Sequence, residues 1–242
     1  MDGKNKIFSR IKTKTASEEI VQQVQSLIKE GKVLPGEQLP PERNLAEMLG
    51  VGRPTLREAL NHLEAQGFIE IRKRKGIFIK NIGMPLISDP IRQIFKEDKE
   101  MLPYLYEVRR DIELSNAYLS AQRRTDQDLE AISAPLLRME KAIAENCVSI
   151  SEDIGFHMAI ARATHNFLKV HILKHMFDIS EEFLGSVLNR LGKDPTNFPA
   201  VVEQHYRVLE AIKRKDAEAA RGEMQKHLGW VENQWRDIID AS

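Results

Sequence analysis

The chain has 242 residues, a single cysteine and a formal net charge of zero. One cysteine excludes an internal disulfide, and no run of apolar residues approaches the roughly 18 that a membrane-spanning helix needs. The amino terminus is polar and basic and contains no apolar signal segment, so we expect a cytoplasmic protein with no membrane partner.

The net charge conceals an asymmetry along the chain. Residues 1–85 carry 15 Lys and Arg against 10 Asp and Glu, whereas residues 86–242 carry 21 against 26. The first part therefore has a charge of +5 and the second a charge of −5. This difference indicates that only the first part contacts a polyanion.

The first 80 residues predict short, mixed elements. "TASE" at residues 15–18 has the spacing of a capping box, which predicts a helix that ends near Gly31. Its predicted buried residues are Ile20, Val24, Leu27 and Ile28. Because prolines disfavour helix interiors, "VLPGEQLPPER" at residues 33–43 predicts a turn followed by an extended segment.

Two further helices and a hairpin are predicted next. The second helix begins at Pro41, and its predicted buried side consists of Leu45, Met48 and Leu49. The third extends from about Pro54 to Gln66, and its predicted buried side consists of Leu56, Leu60 and Leu63. After Gly67, "FIEI" and "GIFIK" flank a charged turn, as in a short β-hairpin. The order of these elements is that of a winged helix-turn-helix.

The segment "LPGEQLPPERNLAEMLGVGRPTLREALNHLEAQGFIEI", residues 34–71, resembles the amino-terminal domain of the GntR family of bacterial transcription regulators. The resemblance covers most of residues 10–80. The chain departs from the family at the tip of the wing, where "RKRKG" stands in place of the usual glycine-rich sequence and adds positive charge.

The resemblance implies which side chains contact DNA. The first turns of a helix in the major groove present side chains to base edges, while flanking basic residues bind phosphates. The implied DNA contacts are Arg43 in the second helix, Arg53, Thr55 and Arg57 in the third, and Lys73, Arg74 and Lys75 in the wing. Taken singly, an exposed arginine on a helix is usually a solvated surface charge.

A change of pattern separates this domain from the rest of the chain. "NIGMPLISDP", residues 81–90, interrupts both helical and strand patterns and predicts a linker between domains at 1–80 and 91–242. Six amphipathic segments follow, at roughly 100–122, 126–146, 149–164, 167–191, 200–213 and 216–239, with Asp216 as a cap. They predict an antiparallel helical bundle, so the fold class is mainly α.

Four polar residues interrupt the apolar faces of three bundle helices. Asp153 and His157 lie four residues apart on one helix, a spacing that lets both hold one ion. His205 lies in the middle of the next-to-last helix's apolar face, and His227 lies in the apolar stripe of the last helix. A lone inward histidine is more often a hydrogen-bonded core residue. Buried polar groups are costly unless paired, so the four together predict a metal site.

The bundle resembles the ligand-binding domain of the FadR subfamily of GntR regulators. Metal-binding members carry Asp-x-x-x-His on one helix and one His on each of the last two, which implies Asp153, His157, His205 and His227 as ligands. The same set argues against an acyl-CoA ligand. Imidazole and carboxylate suit Zn, Ni, Mn or Fe, and we expect Zn in the protein as purified.

The resemblance also implies a small organic acid as effector, such as lactate, pyruvate, glycolate or citrate. Arg109 matches the family's effector-binding arginine and lies next to a predicted apolar stripe of Leu105, Val108 and Ile112. Asn166, in "ATHNF", matches an asparagine of the family. The alternatives for the two are a surface charge and a capping amide. His171 and His175 are interpreted as surface or interface residues.

Together these features predict a homodimeric repressor that binds a palindromic operator and is released by the acid. We expect ligand binding to move a bundle helix next to the linker and change the spacing of the two DNA-binding domains. Alternatively, the metal is structural or is itself the signal. A metalloenzyme is disfavoured because the metal set comes with no HExxH motif, nucleophile elbow or obvious general base. A constitutive chromosome-organising protein would not need a buried polar pocket.

Overall fold

The computed structural model describes residues 14–80, 101–144, 150–191 and 197–239. The predicted linker at 81–90 lies outside this part of the chain. The chain divides into two compact units, of which the first contains the described residues through Ile28 and Gly36–Lys80. The second contains Lys29–Pro35 and the helices from residue 101 onward.

The described part of the first unit contains three helices, α1 (Ala16–Lys29), α2 (Glu42–Leu49) and α3 (Arg53–Ala65). The predicted capping box begins α1. The Thr15 hydroxyl accepts the Glu18 N–H at 3.1 Å, and the Thr15 N–H donates to the Glu18 carboxylate at 3.0 Å. These two hydrogen bonds satisfy donors that a helix amino terminus otherwise leaves open.

The core of this unit lies between the apolar faces of the helices. The predicted inward residues of α3 (Leu56, Leu60 and Leu63) are fully buried. The prediction for Met48 is wrong, since its side chain is 73% exposed. Leu45 and Ala46 are the buried residues of α2, and the 100° turn per residue places Met48 outside the arc that they define.

A two-stranded antiparallel sheet forms the predicted wing. Strand β1 (Ile69–Arg72) pairs with β2 (Gly76–Ile79), with Arg72 opposite Gly76. Arg74 takes a left-handed φ of 64° in the turn, a conformation that glycine adopts at less cost. Gly76 has a φ of 113°, which residues with a side chain rarely adopt, and a Cβ there would displace the Gln38 amide nitrogen, which donates to the Lys75 carbonyl at 2.8 Å.

The described part of the second unit contains six helices. They are α4 (Leu102–Arg123), α5 (Asp126–Ala144), α6 (Ile150–Ala163), α7 (Phe167–Leu191), α8 (Asn197–Lys213) and α9 (Ala217–Ile239). Each described end lies within three residues of its predicted position. The carboxylate of Asp216 accepts the N–H of Ala219 at 3.0 Å and caps α9, as predicted. None of the described helices is both long and apolar enough to cross a bilayer.

The buried face of α4 differs from its predicted one. Val108 is 48% exposed, so its place in an apolar stripe was wrongly predicted. Instead, four polar residues at helical spacing are buried: Arg109, Glu113, Asn116 and Ser120. His171 and His175 are also buried on α7, and the surface interpretation of both is wrong. Polar side chains in an amphipathic helix do not reveal from spacing alone which of two faces packs inward.

Candidate metal and effector centre

Three histidines from three helices converge inside the bundle. His157 comes from α6, His205 from α8 and His227 from α9, and each is at most 1% exposed. One ring nitrogen from each lies within 4.8 Å of the others. The apolar stripe around each histidine directs it inward, so the packing that buries the helices also assembles the cluster.

Asp153 lies beside the three histidines. It precedes His157 by one turn of α6, and its carboxylate oxygen is 3.6 Å from the His205 Nε2 atom. Burial raises the pKa of Asp153, and the nearby His157 and Arg109 partly offset that effect. A bound cation would favour the ionised carboxylate further.

The electrostatic environment keeps two imidazoles neutral. Burial lowers the pKa of both His205 and His227 well below the usual 6.5, and neighbouring histidines lower it further. The Nδ1 atom of His227 lies 3.0 Å from the side-chain oxygen of Gln204, which accepts its proton. The Nε2 lone pair of His227 therefore faces the Nε2 atom of His205, 3.1 Å away.

The donor set fits a divalent metal ion. The Nε2 atom of His157 is buried and has no hydrogen-bond partner within the part of the chain that the structure describes. Neutral imidazole nitrogens with an adjacent carboxylate are ligands that Zn, Ni, Mn and Fe accept. An ion between the three rings would be bound by one nitrogen of each ring and would replace the hydrogen bond that His205 and His227 can form through their Nε2 atoms.

Glu113 on α4 is part of this centre, although the sequence analysis did not identify it. One carboxylate oxygen accepts the Arg109 Nε–H at 2.5 Å, and the other contacts the Nδ1 atom of His157. Burial would raise the pKa of Glu113, but Arg109 and His157 outweigh it and hold the pKa at about 2. Its position four residues after Arg109, on the same side of a helix, is the sequence signal that could have identified it.

These contacts fix the orientation of the ligating rings. Glu113 holds Nδ1 of His157 and Gln204 holds Nδ1 of His227, which leaves both Nε2 atoms facing the centre. Histidine ligands in metal proteins commonly bind such an outer partner through their second nitrogen. The guanidinium carbon of Arg109 also lies 4.6 Å from the ring centre of Phe177. Arg109 is therefore held by two contacts, a hydrogen bond to Glu113 and a cation–π contact with Phe177.

The remaining residues suggested by the sequence are Asn166, His171 and His175. Asn166 caps α7, and its side-chain oxygen accepts the N–H groups of Leu168 and Lys169 at 3.1 and 3.4 Å. These are the contacts of a capping amide, and an effector role for Asn166 stays a prediction. Within the described residues, His171 and His175 belong to no group of three potential metal ligands.

The basic side chains predicted to contact DNA are on the surface of the first unit. Arg43, Arg53 and Arg57 are exposed, as are Lys73, Arg74 and Lys75, while Thr55 is half-buried. Glu42 pairs with Arg57 at 2.9 Å and lies 3.9 Å from Arg53. Exposed ion pairs contribute at most about 1 kcal/mol, so a DNA phosphate or base can replace Glu42 at little cost.

A winged helix-turn-helix joined to a helical bundle with a buried polar centre is the architecture of a ligand-responsive DNA-binding protein. Residues 16–79 match the model for bacterial regulatory proteins of the gntR family, and residues 104–229 match the FCD domain. The chain belongs to the GntR family, as a DNA-binding transcriptional regulator with an FCD ligand-binding domain.

Curated relatives match over most of the chain. The HTH-type transcriptional regulator LutR of Bacillus subtilis (strain 168) is 32% identical over 208 residues, which cover 86% of this chain and 95% of LutR. The Uxu operon transcriptional regulator of Escherichia coli (strain K12) is 32% identical over 87% of this chain and 83% of its own length. A solved structure of Streptococcus agalactiae GntR is 26% identical, covers 90% of this chain and 99% of its own, and has a TM-score of 0.48.

Proposed function

We propose that this regulator is a homodimeric repressor whose operator affinity is controlled by a small carboxylate bound at a metal centre. His157, His205 and His227, with Asp153, hold the ion, and Arg109 binds the carboxylate. The observation that carries the proposal is the convergence of three buried imidazoles next to the pair formed by Arg109 and Glu113.

The arrangement of charges supports a carboxylate at this point. When bound, a divalent ion supplies a Lewis-acid position for a carboxylate oxygen. Glu113 contacts both Arg109 and His157, so Arg109 lies close to the ligating histidine. The guanidinium of Arg109 carries paired N–H donors that match the two oxygens of a carboxylate. A small acid can therefore contact both charged groups at once.

The two units then provide the two halves of a regulator. Two winged domains related by a twofold axis would bind a palindromic operator. The dimer has one state that can bind DNA and one that cannot. An acid that binds these two states with different affinity shifts operator affinity, typically by about 1 to 3 kcal/mol. One relative, which is 28% identical, is named the Glc operon transcriptional activator. An operator-binding assay with and without the acid tests the proposed direction of control, and the acid should lower operator affinity.

A thermal-shift titration of the full chain against mono-, di- and tricarboxylates, before and after chelation, tests the effector site. An acid at 100 times its dissociation constant adds about 2.7 kcal/mol to the free energy of unfolding. For a chain of this size, each kcal/mol raises Tm by about 2 to 4 °C. We expect one acid to produce such a shift in the metal-loaded protein and none after chelation.

The matched controls separate a regulatory metal from a structural one. Full burial of the three imidazoles also suits a structural ion. In that case chelation alone would lower Tm strongly, and no acid would shift it. His171→Ala, which removes an equally buried histidine outside the cluster, should retain both the metal content and the acid response.

A further inference from the structure

The buried polar face of α4 continues one turn beyond Glu113, to Asn116. Asn116 is 1% exposed, and neither its amide nitrogen nor its amide oxygen has a hydrogen-bond partner among the residues that the structure describes. Buried polar groups in native proteins are almost always hydrogen-bonded, because an unpaired one retains the full cost of its lost hydration. This amide therefore requires a partner that the described side chains and backbone do not provide.

The position of Asn116 places that partner next to the metal and effector centre. At 100° per residue, Arg109, Glu113 and Asn116 fall within an arc of about 60° on α4. Asn116 is about 4.5 Å along the helix axis from Glu113, which contacts both Arg109 and His157. Ser120, one turn further along α4, is paired, because its hydroxyl donates to the carbonyl of Ala117 at 2.9 Å.

The charges at the centre restrict the class of ligand. Arg109 is buried beside the centre, and its paired N–H donors match one carboxylate. Each further carboxylate of a dicarboxylate or tricarboxylate would require another buried positive group as its partner.

The chemistry of the amide restricts the ligand further. Asn116 offers both a donor and an acceptor, and both are unpaired. A hydroxyl group can donate to the amide oxygen and accept from the amide nitrogen, whereas a keto oxygen can only accept.

We propose that Asn116 is a specificity-determining residue of the effector site and recognises the hydroxyl group of a small hydroxy monocarboxylate. The carboxylate of this acid binds at the metal centre and Arg109, so the inference rests on the proposed function.

Isothermal titration of the full-length, metal-loaded protein with matched pairs of acids tests this proposal. Glycolate is compared with acetate, and each enantiomer of lactate with propionate and pyruvate. Sites built around a hydroxyl reject analogues that lack it, because the protein's polar groups are then left unpaired. We expect glycolate and one lactate enantiomer to bind at least about tenfold more tightly than their partners, which corresponds to about 1.4 kcal/mol.

Two substitutions distinguish recognition from a structural role. Asn116→Ala should reduce the preference within each pair to less than about threefold while retaining the metal content. Asn116→Leu should also lose the preference, and its Tm without ligand should be unchanged or higher, because an apolar group replaces an unpaired amide. Ser120→Ala, on the same face of α4, is the control and should retain the preference.

The outcomes distinguish the role of Asn116 from the existence of the acid site. Equal binding within the pairs by the wild type, or a preference that survives in Asn116→Ala, would overturn the role of Asn116 and leave the metal-dependent acid site intact. Pyruvate binding as tightly as lactate would overturn recognition of a hydroxyl. If no monocarboxylate binds the metal-loaded wild type, the effector site of the proposed function fails, and this inference fails with it.

Discussion

The two units place their polar residues in opposite environments. In the first, Arg43, Arg53 and Arg57 are exposed, and their ion-pair partners are surface carboxylates. In the second, Arg109 and Glu113 are buried, and each is held by a specific partner. The difference teaches that the side chains predicted to contact DNA can be exchanged with little effect on folding, whereas the proposed effector centre is part of the core on which folding depends.

The largest expected effect comes from removing a ligand at the centre of the bundle. His205→Ala should lose the bound ion, and with it the stabilisation by any acid, because His205 lies between His227 and Asp153. Elemental analysis and the thermal-shift titration measure both losses. His171→Ala is the matched buried control, and retention of one equivalent of metal by His205→Ala would contradict the assignment.

Lowering the pH should destabilise the second unit. His205 and His227 have depressed pKa values in the folded protein, so the unfolded chain takes up protons below pH 6.5 that the folded chain does not. The free energy of unfolding should therefore fall as the pH drops below 6.5, by up to about 1.4 kcal/mol per pH unit for each histidine. Denaturation of chelated protein between pH 7.5 and about 5.5 measures this slope. The slope should be smaller in His205→Ala and unchanged in His62→Ala, which removes an exposed histidine.

Removing the charge of Glu113 should weaken metal binding without abolishing it. Glu113→Gln leaves the ligands in place but loosens the orientation of His157, and loss of such an outer partner typically costs about 10- to 100-fold in metal affinity. Competition with a chromophoric chelator measures this change. Glu203→Gln, an exposed carboxylate of α8, is the control, and an unchanged affinity in Glu113→Gln would remove Glu113 from the site.

Arg57→Ala should affect the function of the first unit and leave its stability almost unchanged. Loss of an arginine that contacts a base costs about 1 to 3 kcal/mol of operator affinity. The change in unfolding free energy should stay within about 0.5 kcal/mol, as for other surface substitutions. Fluorescence anisotropy with operator DNA and a thermal melt measure the two quantities. Arg207→Ala on α8 is the control for charge, and affinity within twofold of wild type would contradict the DNA contact.

The smallest effect is expected at Met48. Because this side chain is 73% exposed, Met48→Gln should change the free energy of unfolding by less than about 0.5 kcal/mol. A loss of more than about 2 kcal/mol, as for a truncated core residue, would show that Met48 is buried, as the sequence pattern predicted. Leu45→Gln is the matched control in the same helix and should destabilise the unit strongly.

Local signals in the sequence were sufficient to predict the secondary structure. The capping box at Thr15, the glycine after α2 and the cap at Asp216 act within a few residues, so they can be recognised without tertiary information. The inward orientation of His157, His205 and His227 was predictable for a similar reason, because each interrupts an apolar stripe.

The faces of α2 and α4 depended on packing between helices. The sequence pattern assigned Met48 and Val108 to buried faces, but the neighbouring elements cover other sides of both helices. On α4 the covered side carries the polar Arg109, Glu113 and Asn116 among buried apolar residues, so the pattern of apolar residues alone does not define it. Burial of such a face is favourable only when partners on other helices satisfy its charges, as His157 does for Glu113.

The sequence by itself determined the two-part organisation, the order of the helices and the set of potential metal ligands, because these follow from caps, turns and periodicity within single segments. Only the tertiary structure decided that Glu113 links Arg109 to His157, that Gln204 orients His227, and that Asn116 has an unpaired amide beside them. The contacts of Glu113 with His157 and of Gln204 with His227 join residues on different helices, tens of positions apart. Their geometry follows from how the helices pack, which spacing along one chain segment does not encode.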